Sequence, residues 1–271
     1  MGIMSSRLRA IAHDTVAISE RGSYSAASGE VTVAVAPAVA GTRLHLPDEV
    51  LSLPAETGGI RIDVTNESTL DATRRLGGDV AALNFASARN AGGGFLNGAQ
   101  AQEESIARAS AIYPCLRAAG EFYAYHRAHD DLTYSDRVIY SPRVPVFKDD
   151  KGTLLPQPYE VSFLTAAAPN RSAILRNQPE RADDIPLALL RRAIRVLHVA
   201  AAHGHRRLVL GAWGCGVFGN EPATVAHVFR IALRDNRFFD HVVFAVLDRQ
   251  KGTPTFAAFA DAFVEQAPDL H

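Results

Sequence analysis

Two adjacent carboxylates, Glu103 and Glu104, follow a run of three glycines in the stretch AGGGFLNGAQAQEES at residues 91–105. A carboxyl group can give and take protons during bond cleavage, and glycine lets backbone N–H groups approach a ligand closely. Neighbouring helical residues point about 100° apart, so we expect the two carboxylates to have different roles. The stretch favours acid–base chemistry, although acidic residues in a first helical turn also complement the helix dipole without any catalytic role.

A second glycine-rich loop, GCGVFG at Gly214–Gly219, has the same setting as the first. Each loop follows an apolar segment typical of a strand and precedes a helical segment, which places both at the carboxyl edge of an α/β sheet. Backbone amides and helix N-termini there favour phosphate or diphosphate. We therefore expect the two loops to bind one ligand between them, the alternative being that the glycines serve only tight turns.

Other nucleotide and metal motifs fit less well. No Gly-Lys-Ser or Gly-Lys-Thr of a P-loop occurs in the sequence. GCGVFG matches the dinucleotide-binding pattern GxGxxG, but it lies late in the chain and no acidic residue that could bind the ribose follows at the expected distance. A nicotinamide-dependent enzyme is therefore the weaker alternative. Cys215 is expected to be a small buried residue rather than a nucleophile. His203 and His205 flank a glycine at a predicted helix end, where histidine caps more often than it binds metal.

The elements that position these residues alternate along the chain. We predict a helix over residues 6–21 and a strand over 29–37, then a strand–helix unit over 60–78 in which Ser68 or Thr69 caps the helix. Further strands are predicted at 79–87, 159–169, 206–213 and 241–248, and two extended pieces around a turn at 137–155. Further helices are predicted at 102–116, 183–204 and 253–266, and one more helix is predicted to start at Asn220 and Pro222.

Alternating strands and helices predict an α/β fold with a mixed, mainly parallel sheet covered on both faces. The length of 271 residues suits a single domain, and the net charge of −1 lacks the basic excess of a DNA or RNA binder. No apolar run approaches the length that spans a membrane, and two distant cysteines suit a reducing compartment. We expect a cytoplasmic protein that does not associate with membranes.

The string GGGFLNGAQAQEE resembles the signature of the poly(ADP-ribose) glycohydrolases, in which three glycines, six to eight spacer residues and Gln-Glu-Glu follow one another. The spacer here has seven residues. NFASARNAGGG, LVLGAWGCGVFGN and the pattern from IAHDTVAI to VTNESTLDATRRL are similar to the bacterial type. The resemblance covers most of the chain, less clearly between residues 125 and 180.

This resemblance implies a macrodomain-like three-layer α/β/α sandwich with an N-terminal extension. Residues 1–271 would form a single glycohydrolase domain, with 1–60 as a helix and extended accessory segment and 61–271 as the ADP-ribose-binding core. The implied reaction is hydrolysis of the ribose–ribose O-glycosidic bonds of poly(ADP-ribose), releasing ADP-ribose from chain ends without a metal or cofactor. Poly-ADP-ribosylated proteins would be its partners, and the chain would act as a monomer.

The resemblance also implies roles for individual residues. Glu104 would be the catalytic acid and base, and Glu103 would hold a ribose hydroxyl. The substrate-binding residues would be Asn84, Asn90, Gly92, Gly93, Gly94 and Gln102 on the catalytic side, and Gly214, Cys215, Gly216, Val217, Phe218 and Gly219 around the diphosphate. Glu67 is a candidate for the adenine amino group and Phe256 for adenine stacking, although phenylalanines of the last helix suit a core equally well.

Two other functions remain open at this point. The chain could be a macrodomain-like protein that binds ADP-ribose without turnover, but such a protein has no need of the intact Gln102–Glu103–Glu104 sequence. It could also hydrolyse esters of mono-ADP-ribose, which only the glycine-to-glutamate signature argues against.

Overall fold

The structure of the protein is a computed structural model that describes residues 2–27, 29–56 and 58–264. The helices are α1 (Gly2–Arg21), α2 (Val35–Gly41), α3 (Thr69–Leu76), α4 (Gln102–Ala109), α5 (Ile112–Ala118), α6 (Gly120–Ala128), α7 (Arg171–Asn177), α8 (Ile185–Ala202), α9 (Pro222–Arg234) and α10 (Pro254–Val264). The strands are β1 (Ser23–Ala26), β2 (Gly29–Thr32), β3 (Arg43–His45), β4 (Arg61–Thr65), β5 (Ala81–Phe85), β6 (Val138–Lys148), β7 (Leu154–Ala166), β8 (Arg207–Leu210) and β9 (His241–Ala245).

Seven strands form one mixed sheet in the order β3-β6-β7-β5-β8-β9-β4. The four pairings from β7 to β4 are parallel, and β3, β6 and β7 pair antiparallel. The carboxyl ends of β5, β8, β9 and β4 therefore meet at one edge, which is where ligands collect in open α/β sheets. The predicted mixed, mainly parallel sheet is confirmed.

Side chains of the parallel strands alternate between two apolar cores. Ala82, Val209 and Val243 pack with residues of α1 to α6 on one face, whereas Leu208 and Phe244 pack with residues of α7 to α10 on the other. Because successive strand residues point to opposite faces, near-continuous apolar strands fill both cores. The result is the expected three-layer α/β/α arrangement.

The N-terminal segment contributes directly to this architecture. β1 and β2 form a separate two-stranded sheet, while β3 pairs with β6 and becomes an edge strand of the main sheet. The predicted strand over 29–37 is wrong in its second half, because α2 begins at Val35. Pro37 is tolerated there since the first turn of a helix needs no N–H from it.

Two local predictions, for the start of α3 and for the length of α4, have different outcomes. The Ser68 cap is confirmed, because its hydroxyl accepts the Asp71 N–H at 3.0 Å. The single helix predicted over 102–116 is wrong: α4 ends at Ala109, and Ser110 is extended and bridges to Val146 of β6. A pairing with a distant strand thus interrupts a segment that local propensity favours as one helix.

None of the helices in the described ranges combines the length and the apolar character that crossing a membrane requires.

Candidate active site

A cavity of about 920 Å³ lies at the carboxyl edge of the parallel strands. Both glycine loops contribute to it, Gly93 and Gly94 from the first and Gly214–Phe218 from the second. The first loop follows β5 and the second follows β8, and these two strands are neighbours in the sheet. The topology therefore brings both loops to one cavity, and the expectation that they bind one ligand between them stays a prediction. Predicted site residues that also line it are Glu67, Asn90, Gln102, Glu103, Glu104, Cys215, Val217 and Phe218.

Glu103 is almost entirely buried in the first turn of α4, with an exposure of 3%. Its Oε2 accepts the Ser87 N–H at 2.7 Å, and its Oε1 lies 3.5 Å from the Asn84 amide nitrogen. Burial raises the pKa of Glu103 to about 8, with a smaller rise from the Glu104 charge and an opposing effect of the hydrogen bonds. Burial outweighs these hydrogen bonds, which favours the protonated form of Glu103 near neutral pH.

This raised pKa predicts a pH-dependent stability. Between the ordinary value of 4.5 and about 8, the folded chain keeps a proton on Glu103 that the unfolded chain releases. Stability therefore falls as pH rises through this window, by about 3 kcal/mol between pH 5 and pH 8. Urea unfolding at both pH values should show this loss in the wild type and a smaller one in Glu103→Gln, which cannot ionise. Equal losses in the two proteins would contradict the assignment.

Glu104 lies on the next position of α4 and is 9% exposed. Its Oε1 accepts the Gly94 N–H at 3.0 Å. The side chain is thus held by the first glycine loop at one oxygen while the residue lines the cavity. A carboxylate fixed in this way at a cavity wall can exchange a proton with a bound ligand.

The two carboxylates come closer together than helical geometry alone suggests. Their side chains leave α4 in different directions, yet both carboxylates reach Gly93, whose φ is +60°. A Cβ at Gly93 would overlap Glu104 Oε1 and lie 3.1 Å from Glu103 Oε2. The two carboxylates, which are expected to have different roles, therefore border the same point.

The start of α4 is fixed by the Gln102 side chain. Its Oε1 accepts the Phe85 N–H at 2.8 Å, and its Nε2 donates to Leu83 O at 2.8 Å and to Thr69 Oγ1 at 3.1 Å. These bonds tie the helix to the end of β5 and to α3. Although Gln102 lines the cavity, its amide is engaged with the protein, so the geometry gives it a supporting position.

The second glycine loop is held from behind by Asn220, whose side chain donates to Pro169 O at 2.9 Å. Gly214 has a φ of +72°, and a Cβ there would overlap Asn220 Nδ2 and Ala168 Cβ. Of the two predicted helix-start residues, Pro222 is confirmed as the first residue of α9. Asn220 is not its cap, because Glu221 is the residue before α9 and Asn220 bonds to another loop instead. Trp213 is fully buried and donates to Ala166 O.

Cys215 lines the cavity but is poorly suited to nucleophilic attack. Burial raises the pKa of its thiol to about 12, and the Glu221 charge adds to the rise. Since the thiolate is the nucleophile, the thiol is unreactive at neutral pH. Cys215 is half-buried rather than fully buried, and its environment fits the expectation that it is not a nucleophile.

Three predicted substrate-binding residues do not line the cavity. Asn84 is fully buried below Glu103 and donates to Thr165 Oγ1 at 3.2 Å. Gly92 lies against the Phe95 ring, and Gly219 packs against Ser172. Their positions support the site from behind.

The two candidates for adenine recognition lie in different surroundings. Glu67 lines the cavity, but Arg75 pairs with its carboxylate. Burial opposes ionisation, yet the bonds from Arg75 and Thr65 hold the pKa of Glu67 below its ordinary value. Phe256 is half-buried against the core of the α7–α10 face and is absent from the cavity lining. Its geometry favours the core alternative.

The sequence reasoning missed three charged residues of the cavity: Asp150, Asp248 and Arg249. Asp248 organises the loop after β9, because its carboxylate accepts the N–H groups of Gln250 and Thr255 at 2.9 and 2.7 Å. Its position just after a parallel strand was a usable signal. Asp150 belongs to the β6–β7 hairpin, and Ser68 donates to it; only the fold brings this turn to the cavity.

The histidines at the end of α8 do not line this cavity. His203 caps α8 and its Nε2 lies 2.9 Å from His45 Nε2, while Tyr140 OH lies 2.8 Å from His205 Nε2. Within residues 2–27, 29–56 and 58–264, no three His, Cys, Asp or Glu side chains are grouped so that they could hold a metal ion.

Comparison with known proteins shows which family the chain resembles. The family model "Microbial-type PARG, catalytic domain", where PARG stands for poly(ADP-ribose) glycohydrolase, matches residues 12–149. No curated protein matches the chain in sequence.

Solved bacterial structures are similar over nearly the whole chain. The poly(ADP-ribose) glycohydrolase of Thermomonospora curvata is 51% identical with a TM-score of 0.89, covering 95% of this chain and 100% of its own. The same enzyme bound to the inhibitor ADP-HPD is 52% identical with a TM-score of 0.86, at the same coverage of both chains. The Deinococcus radiodurans enzyme in complex with ADP-ribose is 43% identical, with a TM-score of 0.80 and coverage of 86% and 98%.

Proposed function

Because this chain belongs to the microbial-type poly(ADP-ribose) glycohydrolase family, we propose that it hydrolyses the ribose–ribose O-glycosidic bonds of poly(ADP-ribose) and releases ADP-ribose. The enzyme is a glycosidase. One observation carries the proposal: two buried carboxylates of one helix meet at Gly93, on the wall of a cavity that both glycine loops line. A protein that only binds ADP-ribose has no use for this pair.

Glu104 acts as both acid and base in this proposal. In its protonated form it gives its proton to the leaving 2′-oxygen while the bond between that oxygen and the anomeric carbon breaks. The resulting carboxylate then takes a proton from water as the water oxygen bonds to the anomeric carbon. Glu104 thereby regains its proton, and no other co-reactant is needed. The Gly94 N–H keeps the carboxyl group in place through both steps.

Glu103 supports the reaction as a neutral group. With its pKa raised to about 8 by burial, it remains protonated at neutral pH. It can therefore hydrogen-bond a ribose hydroxyl beside the reacting bond, and it adds no negative charge beside the Glu104 carboxylate that forms when the proton is transferred. The part of the second glycine loop that lines the cavity, Gly214–Phe218, binds the diphosphate, which orients the ribose toward the carboxylates.

The charge of the cavity supports attack at chain ends. Arg249 is the only basic side chain among the cavity-lining residues in the described part of the chain, against five acidic ones: Glu67, Glu103, Glu104, Asp150 and Asp248. A long polyanion gains little from such a surface. We therefore propose that the terminal ADP-ribose unit of a chain enters the cavity. The chain can be free or attached to a modified protein.

The test is incubation of the purified protein with poly(ADP-ribose), with free ADP-ribose and shorter oligomers followed over time by chromatography. We expect ADP-ribose to appear from the first time point, without early accumulation of oligomers. A mono-ADP-ribosyl ester in a parallel reaction separates the two hydrolase activities. Tight ADP-ribose binding without release from either substrate would overturn the proposal in favour of a binding protein.

A further inference from the structure

A side chain outside the cavity is bonded to the same loop that holds Glu104. Arg108 lies four residues after Glu104 in α4, which places the two on one face of the helix. Arg108 is 6% exposed and is absent from the residues that line the cavity. Burial lowers the pKa of its guanidinium, while the charge of Glu104 raises it. The two groups therefore lie within electrostatic range of each other.

The loop from Gly94 to Ala99 is bonded to this helix face at both ends. At its start, the Gly94 N–H donates to Glu104 Oε1 at 3.0 Å. At its end, Arg108 Nη1 donates to Ala99 O at 2.6 Å. The Ala99 N–H donates back to Gly94 O at 3.1 Å and closes the loop. A continuous path of hydrogen bonds thus leads from Arg108 through the loop to the Glu104 carboxyl group.

The other end of this path is anchored in the N-terminal helix. Thr15 of α1 donates its hydroxyl to Arg108 O, near the end of α4 where helical carbonyls lack partners. Thr15 in turn accepts from the buried Lys148 Nζ of β6 at 2.8 Å, and Lys148 pairs with Asp14 at 2.7 Å. The last turn of α4 is therefore fixed from two elements, and the Arg108 guanidinium extends from a rigid base.

We propose that Arg108 is a positioning residue, which sets the Gly94–Ala99 loop so that the Gly94 N–H holds Glu104 in its reactive orientation. Its effect on the reaction rests on the proposed function, whereas its effect on the loop does not. Because Arg108 does not border the cavity, its loss alters the placement of the acid and leaves the site for ADP-ribose in place. A displacement of about 1 Å at a catalytic group costs about 100-fold in rate.

The test compares Arg108→Met, which keeps an apolar stem without the charge and donors, with Arg108→Lys, which keeps the charge. Arg117→Met is the matched control, since Arg117 is exposed on α5. We expect kcat to fall about 100-fold in Arg108→Met. KM and the ADP-ribose Kd should stay within about threefold of the wild type, which is roughly the change that a substitution outside the binding site produces. Arg108→Lys should recover about 10-fold of the loss, and the control should match the wild type.

Hydrogen exchange of the loop amides gives a readout that does not require turnover. Peptides covering residues 94–101 should exchange about 10-fold faster in Arg108→Met than in the wild type, whereas peptides of β5 should be unchanged. Absence of ADP-ribose release by the wild type defeats the proposed function, and the exchange data then still decide the role of Arg108. The proposal would be overturned if Arg108→Met left kcat unchanged or left the exchange of the loop amides unchanged. It would also be overturned if kcat, ADP-ribose binding and Tm all fell together and Arg108→Lys recovered none of the loss. If Arg108→Met does not fold, kcat and loop exchange are compared between Arg108→Lys and the wild type, and this comparison decides the role of Arg108.

Discussion

Replacing Glu104 by glutamine should lower the kcat of ADP-ribose release from poly(ADP-ribose) by about 10³-fold, within the range that a general acid–base group contributes. The amide oxygen of glutamine can still accept the Gly94 N–H, which Glu104 Oε1 accepts at 3.0 Å. The substitution therefore removes the exchangeable proton and preserves the fold of the loop. Single-turnover rates and calorimetric ADP-ribose titrations on the same preparation measure both quantities.

The matched control for this variant is Glu121→Gln. Glu121 is also an acidic residue in a first helical turn, in α6, but it is exposed and lies outside the cavity lining. If Glu104 only complemented a helix dipole, the two variants would behave alike. We expect Glu121→Gln to keep the wild-type rate. A Glu104→Gln enzyme with more than a tenth of the wild-type kcat would remove Glu104 from the acid role.

Gly93→Ala should have the second large effect, a loss of about 100-fold or more in kcat. The added Cβ would overlap Glu104 Oε1 and lie 3.1 Å from Glu103 Oε2, so both carboxylates have to move. The residue also has a φ of +60°, which an alanine adopts only with strain. We expect the ADP-ribose Kd to rise as well, because Gly93 lines the cavity.

The control for this substitution is Gly120→Ala. Gly120 begins α6, and a Cβ there meets no atom within 4 Å. Alanine favours a helix more than glycine does, so this variant should keep full activity and equal or greater Tm. A folded Gly93→Ala enzyme with near-normal kcat would show that the carboxylates do not depend on this close approach.

The sequence by itself determined the features that arise from local geometry. Strand and helix periodicity fixed the α/β class, and the position of each glycine loop between a strand and a helix was enough to place both loops at one sheet edge. The Ser68 cap also followed from residue type, because its hydroxyl and the Asp71 N–H belong to the same helical turn. The resemblance of the glycine and Gln-Glu-Glu string to a known signature indicated the family, which the family model and the solved structures show.

Features that depend on contacts between distant segments were decided only by the tertiary structure. The bridge from Ser110 to Val146 ends a helix that its own residues would continue. The Gln102 side chain is hydrogen-bonded to β5 and α3. Asp150 lines the cavity from the β6–β7 hairpin. The protonation of Glu103 is the clearest case, because sequence shows the helix dipole that lowers its pKa, whereas only packing creates the burial that raises it to about 8.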